Sequence, residues 1–170
     1  MKNTVVMVLF ALMSATLVLS GCKKASEKLT DKLIEKSLKS SGAGDAKVDV
    51  ANGKVSIKTD KGQMEMSTGE SVALPADFPK DIYVIKGAKI QTAMKTPEGH
   101  MLQLSVERAK EKIAESYVSE MKAQGWTSDA SMDMGETSTR LFKKDNRQVA
   151  VMISQKDSGA ELVITSTTEK

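Results

Sequence analysis

The 170-residue sequence contains a single cysteine, Cys22, and a single histidine, His100. With no second cysteine, a disulfide within the chain is excluded and the fold must be held by packing. Aromatic residues contribute only 4%, so the core has to be aliphatic and filled in part by methionine, a side chain that packs adaptably. No apolar run reaches the roughly 20 residues that a membrane-spanning helix needs. Charge of one sign is also missing. The net charge is +3, too close to neutral for the clustered basic face of a nucleic-acid binder. P-loop, dinucleotide-binding, CxxC and G-x-S-x-G patterns do not occur, which removes the sequence signals of common nucleotide, redox and hydrolase chemistries. Hydrophobic residues at 40% and charged residues at 28% are ordinary values for a globular chain.

The strongest positive signal lies at the N-terminus. Lys2 supplies a positive start, residues 5–13 an apolar stretch, and residues 15–21 a run rich in small residues, the order of a secretory signal. Leu19-Ser20-Gly21-Cys22 follows. This tetrapeptide resembles the lipobox of bacterial lipoproteins. The resemblance implies cleavage between Gly21 and Cys22, a diacylglyceryl group on the Cys22 thiol and, usually, an acyl chain on the new amine. One chain holds a protein marginally, whereas two or three make the attachment lasting. Lys23 stands where an Asp favours inner-membrane retention in enterobacterial-type sorting. The chain is therefore similar to lipoproteins on the periplasmic face of an outer membrane, or of the cell membrane if the source has no outer one.

Removing residues 1–21 leaves about 150 residues, enough for one domain or a small pair. Residues 26–39 predict a short amphipathic helix, with Ser26 as N-cap and Leu29, Leu33, Ile34 and Leu38 on one stripe. Residues 47–67 predict a three-stranded meander. Asn52-Gly53 is the strongest short hairpin cue, and it sets Val48 opposite Ile57 and Val50 opposite Val55. A second turn at Lys61-Gly62 would set Ile57 opposite Met66 and Lys58 opposite Glu65. Both turns place Val55, Ile57, Met64 and Met66 on one face, as a single register demands.

Residues 67–88 form a connector punctuated by Pro75, Pro79 and Gly87, within which residues 82–85 are expected as an edge strand. The breakers suggest a boundary, giving a lipidated segment 22–67 and a second unit 68–170 that should be separable. The run Leu74-Pro75-Ala76-Asp77-Phe78-Pro79-Lys80-Asp81-Ile82, then Lys86-Gly87-Ala88, resembles a segment recurring in uncharacterised bacterial lipoproteins. That resemblance spans roughly residues 45–168 and implies no particular activity or site.

Residues 89–94 and 101–106 predict a hairpin around residues 96–100. Residues 108–124 predict the main helix, with a seam of Ala109, Ile113, Tyr117 and Met121 widened by Ala114 and Val118. Gly125 falls where a left-handed C′ residue belongs, and Trp126 can close the cap against Met121. Three strands are expected after it, at 137–143, 148–155 and 161–167, with Ile153 opposite Leu162 and Val151 opposite Ile164. The fold class is α+β: an antiparallel sheet with one long packed helix in the order ββαβββ, preceded by the short helix and the meander.

Chemistry-bearing groups are sparse. His100 falls in the predicted hairpin loop, where a polar residue needs no special cause. Met132 and Met134, with Met101 beside His100, are candidate thioether and imidazole ligands for copper(I), although methionines in strands and loops ordinarily fill gaps. Asp129, Asp133 and Glu136 lack the spacing and turn glycine of an EF-hand loop. The reading is a non-enzymatic, lipid-anchored binding or adaptor protein of the envelope. It has the membrane and an envelope protein as partners, no nucleic acid and no cofactor. The alternatives are a copper-binding or metal-stress lipoprotein using Met132, Met134 and His100, and an enzyme of unrecognised type.

The anchor gives the first prediction. Cys22→Ala should release the protein from membranes while leaving its melting temperature unchanged, because Cys22 precedes every expected packed element. Fractionation of cells expressing the variant checks this, and firm membrane association of the processed variant would contradict it.

Overall fold

The computed structural model describes Lys36 and residues 47–51, 54–59, 62–69 and 72–169. The signal segment, Cys22 and, Lys36 apart, the helix expected at 26–39 lie outside the described residues. Among those described, nine strands form one antiparallel sheet. They are β1 (Lys47–Ala51), β2 (Lys54–Thr59), β3 (Gly62–Thr68), β4 (Lys89–Thr96), β5 (Gly99–Val106), β6 (Thr127–Met134), β7 (Thr137–Lys144), β8 (Arg147–Lys156) and β9 (Gly159–Thr168). Their spatial order is β1-β2-β3-β4-β5-β9-β8-β7-β6. A 14-residue helix, α1 (Lys110–Ala123), connects β5 to β6 and packs over β6, β7 and β8. This is the expected α+β class.

Strand alternation divides the sheet into two faces of different character. Ala93, Leu102, Leu104, Phe142, Val149, Val151, Ile153, Leu162 and Ile164 are buried on the inner face, beneath α1 and the connector. From the helix, Ile113, Ala114, Tyr117 and Met121 meet them. Val118, expected to widen this seam, stays 38% exposed at its margin. The ends of α1 are closed by specific contacts. The Lys110 backbone N–H donates to Gln155 Oε1 at 2.8 Å, so a side chain from β8 serves where the helix has no cap of its own. At the other end Gly125 takes φ 82°. Its N–H donates to the Lys122 carbonyl at 3.0 Å, and the Trp126 N–H to the Met121 carbonyl at 3.0 Å. That is a Schellman cap, with buried Trp126 making the accompanying apolar contact.

The β8–β9 register sets Ile153 opposite Leu162 and Val151 opposite Ile164, as the loop length requires. Gly159 opens β9 at φ 137°, and a Cβ there would lie 2.3 Å from the Val106 carbonyl oxygen, so a side chain cannot be accommodated. The β1–β2 register is also as expected. The next hairpin differs: Ile57 faces Met64 and Val55 faces Met66, because Gly62 lies within β3, paired with Thr59, and not in the turn. Moving a two-residue loop by one position shifts the pairing by two residues. With a side-chain period of two, every residue keeps its face.

Two larger expectations are corrected. The order after the connector is ββαββββ, not ββαβββ, since β6 precedes β7. All eight β6 residues are exposed, and the short alternation Ala130, Met132, Met134 with Ser131 and Asp133 is too polar and too brief to stand out as a strand. Residues 82–85 form no strand. Successive turns, with N–H groups of Phe78, Ile82 and Ala88 donating to carbonyls of Pro75, Pro79 and Ile85, satisfy the backbone locally. They deliver Phe78, Ile82 and Ile85 into the inner core. Strands from both sides of the expected 67/68 boundary lie in one sheet, since β3 pairs with β4 from Glu65↔Lys95 to Thr68↔Thr92.

Ile113 is fully buried at the centre of the helix–sheet contact. Ile113→Ala should cost about 2–5 kcal/mol, whereas Lys112→Ala on the exposed face should change stability by less than about 0.5 kcal/mol. Urea midpoints of the two variants check this, and equal midpoints would place α1 outside the stabilising core.

Candidate binding surface

The connector carries the most elaborate polar contacts. The Arg147 guanidinium donates to both carboxylate oxygens of Asp81, at 2.9 and 2.6 Å. Lys144 Nζ donates to the same carboxylate at 2.8 Å. Trp126 joins the group by donating Nε1–H to the Asp81 carbonyl at 2.7 Å. Its ring lies under both cations, 4.9 Å from Arg147 Cζ and 5.9 Å from Lys144 Nζ. The Arg147 hydrogen bonds, with Lys144 adding to them, hold the Asp81 carboxyl well below the usual carboxylate range against the opposing effect of its partial burial. Nearer the strand hairpin, Asp77 pairs with Lys95 at 2.5 Å and lies 3.5 Å from His100 Nε2. Both carboxylates of the Asp77-Phe78-Pro79-Lys80-Asp81 run therefore fasten the connector to the sheet.

His100 is thereby placed on the inner face. Its side chain is mostly buried, edge-on to Phe78 with ring centroids 5.6 Å apart. Its backbone N–H, not its ring, meets a serine, donating to Ser166 Oγ at 3.2 Å. Met132 and Met134 sit on the opposite face, on the far edge strand, with β9, β8 and β7 between them and β5. Measured along the sheet that is about 19 Å. The candidate copper set of Met132, Met134 and His100 is thus not brought together. Among the described residues, no three His, Cys, Asp or Glu side chains converge as metal ligands. No described helix is long and apolar enough to cross a membrane, and Cys22 lies outside the described residues.

Between α1 and β6–β7 runs an open groove of about 610 Å³, lined by Lys110, Ala114, Val118, Lys122, Asp133 and Arg140 among others. Two of its cations are engaged in holding the edge strand. Arg140 grips Asp133 with two hydrogen bonds of 2.9 and 3.2 Å, and Lys110 Nζ donates to the Gly135 carbonyl at 2.6 Å. The Arg140 contact keeps the Asp133 carboxyl below its ordinary range.

The outer face has a different composition. The registers place all seven methionines of the described strands there: Met64, Met66, Met94, Met101, Met132, Met134 and Met152. The hydrophobic core on the inner face takes its strand side chains from leucine, isoleucine, valine, phenylalanine and alanine, and among the described residues its one methionine comes from α1. Sequence reasoning missed this segregation because it follows from the order of strands, although the alternation within each strand carried part of it. At the β6 end, Met132, Met134, Leu141 and Met152 are 59%, 68%, 36% and 43% exposed, an apolar patch beside an edge with no partner strand among the described residues.

The START domain-like family matches residues 88–160, the stretch from β4 through α1 to the start of β9. No curated protein and no solved structure matches the chain.

The Asp81 clasp should register in stability. A carboxyl whose pKa is lowered by folding stabilises the native state above its unfolded value, and that contribution is lost as pH falls toward the folded value. Asp81→Asn should cost about 2 kcal/mol at pH 7, and the gap to the wild type should narrow steadily below about pH 4. Urea midpoints of both proteins across this range check the window, and a gap independent of pH would mean the clasp is not ionic.

Proposed function

We propose that this chain is a non-enzymatic, lipid-anchored binding or adaptor protein of the bacterial envelope, held by acyl chains on Cys22. It captures an envelope protein through the β6 edge and the apolar outer-face patch next to it. The anchor reading rests on Leu19-Ser20-Gly21-Cys22 and the signal-like residues before it. The partner reading rests on one observation: the patch of Met132, Met134, Leu141 and Met152 is exposed beside an edge that has no partner strand among the described residues. An exposed edge strand can take another strand, and soluble proteins commonly protect such edges by lysine, proline or cover. Here the edge carries two methionines. Methionine surfaces repack easily around a partner.

The groove beneath α1 is a weaker candidate, because its Arg140 and Lys110 already hold β6 in place. The similarity to the START domain-like family covers less than half of the chain and supports the arrangement of sheet and helix.

Met132→Lys changes an exposed position and should leave stability within about 0.5 kcal/mol of the wild type, while disrupting capture at the edge. A photo-crosslinker at Thr127 in the native membrane-bound protein should give one discrete adduct that Met132→Lys abolishes. A crosslinker at Glu120, on the helix, should not give that adduct. Adducts unaffected by Met132→Lys would remove the β6 patch as the binding surface.

A further inference from the structure

We propose that the β6 edge pairs with the β6 edge of a second copy of this chain, joining the two sheets about a twofold axis through Met132. The proposal rests on β6 being the binding surface, and it names the partner there. Gly135-Glu136 is a two-residue turn, with Gly135 at φ 53° and Met134 paired to Thr137. The residues closing such a turn exchange hydrogen bonds, and hydrogen-bonded pairs recur at every second residue of the ladder. Met132 and Thr139 form the next such pair. Arg140 agrees with this, since its Nη1 donates to both of their carbonyls, at 3.4 and 3.0 Å, from between the two strands. The N–H and C=O groups of Ser131 and Asp133 therefore point away from β7, toward the open edge.

Those outward groups fit an antiparallel copy of themselves in one register. Twofold pairings centred on Ser131, Met132 or Asp133 all bring outward groups together. Centring on Ser131 brings Asp129 of each copy toward Asp133 of the other, and centring on Asp133 sets the two Asp133 side chains directly opposite. Like charges so placed are destabilising. Centring on Met132 sets Asp133 against Ser131, Met134 against Ala130, and Met132 against its own counterpart, so no carboxylates meet. The bulge between Ser128 and Ala130 ends the regular strand and confines the pairing to residues 130–134.

Edges that stay single are commonly guarded by lysine, proline or an inward charge. β6 has no lysine or proline, and its inward charge, Asp133, is already gripped by Arg140 at 2.9 and 3.2 Å. An unrelated strand would have to match this order of polar and apolar residues, whereas a second copy matches it by symmetry. Space also allows the union. α1 packs over β6, β7 and β8, which centres it on β7. The two β7 strands flanking the joined edges stand about 14 Å apart, more than the roughly 10 Å thickness of a helix, so the helices do not collide. On the outer face each Met132, 59% exposed in the single chain, packs against its counterpart.

The test uses the full lipoprotein in native membranes, with one cysteine introduced per variant and a mild oxidant added. Opposed residues that do not share hydrogen bonds have Cα atoms about 4.5 Å apart, within reach of a disulfide. Met132→Cys should therefore give a covalent dimer, in roughly tenfold higher yield than Met152→Cys on β8. Ala130→Cys and Met134→Cys should each stay monomeric alone and crosslink when co-expressed, because each faces the other's position and not its own. The wild type, with Cys22 alone, sets the background. All four positions are exposed, so every variant should keep the wild-type melting temperature. The Thr127 photo-adduct should have twice the mass of the mature chain. Equal yields from Met132→Cys and Met152→Cys, or failure of the co-expressed pair to join, would overturn the twofold pairing. A Met132-dependent adduct of any other mass would also overturn it, while leaving the β6 surface standing with a different partner. Absence of every Met132-dependent adduct would remove the pairing and the surface together.

Discussion

A nine-stranded sheet is about 38 Å across, and a helix is about 10 Å thick. One 14-residue helix can therefore cover only a minority of one face. That mismatch of area governs the rest of the structure. α1 covers β6, β7 and β8, so the apolar positions of β4, β5 and β9 need a second lid. The connector provides it. Phe78, Ile82 and Ile85 fill the space beside α1, and Tyr83 meets Tyr117 edge-to-face with centroids 5.1 Å apart. An irregular segment has no ladder of its own to hold it in place. Its turns satisfy its backbone, and Asp77 and Asp81 fasten it at two points to Lys95 and to Arg147 with Lys144.

The same mismatch leaves the outer face without a described cover. Its methionine content gives that face two regions of different exposure. At β3–β5 the side chains shelter one another, and Met94 is nearly inaccessible. At β6–β8 they project into solvent next to an edge without a partner strand among the described residues. Thioethers suit both settings because they are apolar enough to pack and flexible enough to rearrange. The inner face serves stability, with Tyr117, Phe142 and Ile113 fully buried in its core.

Much of the fold was legible wherever one strand or helix face is buried and the other is wet. Val149, Val151 and Ile153 alternate with Gln148, Ala150 and Met152, and their pairing with β9 followed from loop length. Ile113, Tyr117 and Met121 marked the buried stripe of α1, and Gly125-Trp126 marked its end. Legibility failed where burial does not alternate. The β6 sequence, Thr127 to Met134, is exposed throughout, and its one apolar alternation, Ala130, Met132 and Met134, is short. Residues 82–85 read as a strand because four successive residues are apolar, yet they pack through turns. For the candidate sites the loss was greater. His100 and the pair Met132 and Met134 are close to other candidates in the sequence and lie on opposite faces of the sheet.

By itself the sequence determined the class of the fold, the one long helix and the registers of the β1–β2 and β8–β9 hairpins, and it carries the motif at Cys22 on which the proposed anchor rests. Those features depend on contacts between residues near in the chain, or on a covalent motif, and local chemistry suffices for them. Only the tertiary structure decided which strands become neighbours across long connections. It was the pairing of β3 with β4 across the connector that set Met66 beside Met94, and the fold that carried Asp81 across 66 positions to Arg147. Such contacts depend on how much sheet one helix can cover and on what must fill the remainder, a balance of area and volume over the whole molecule that no local stretch encodes.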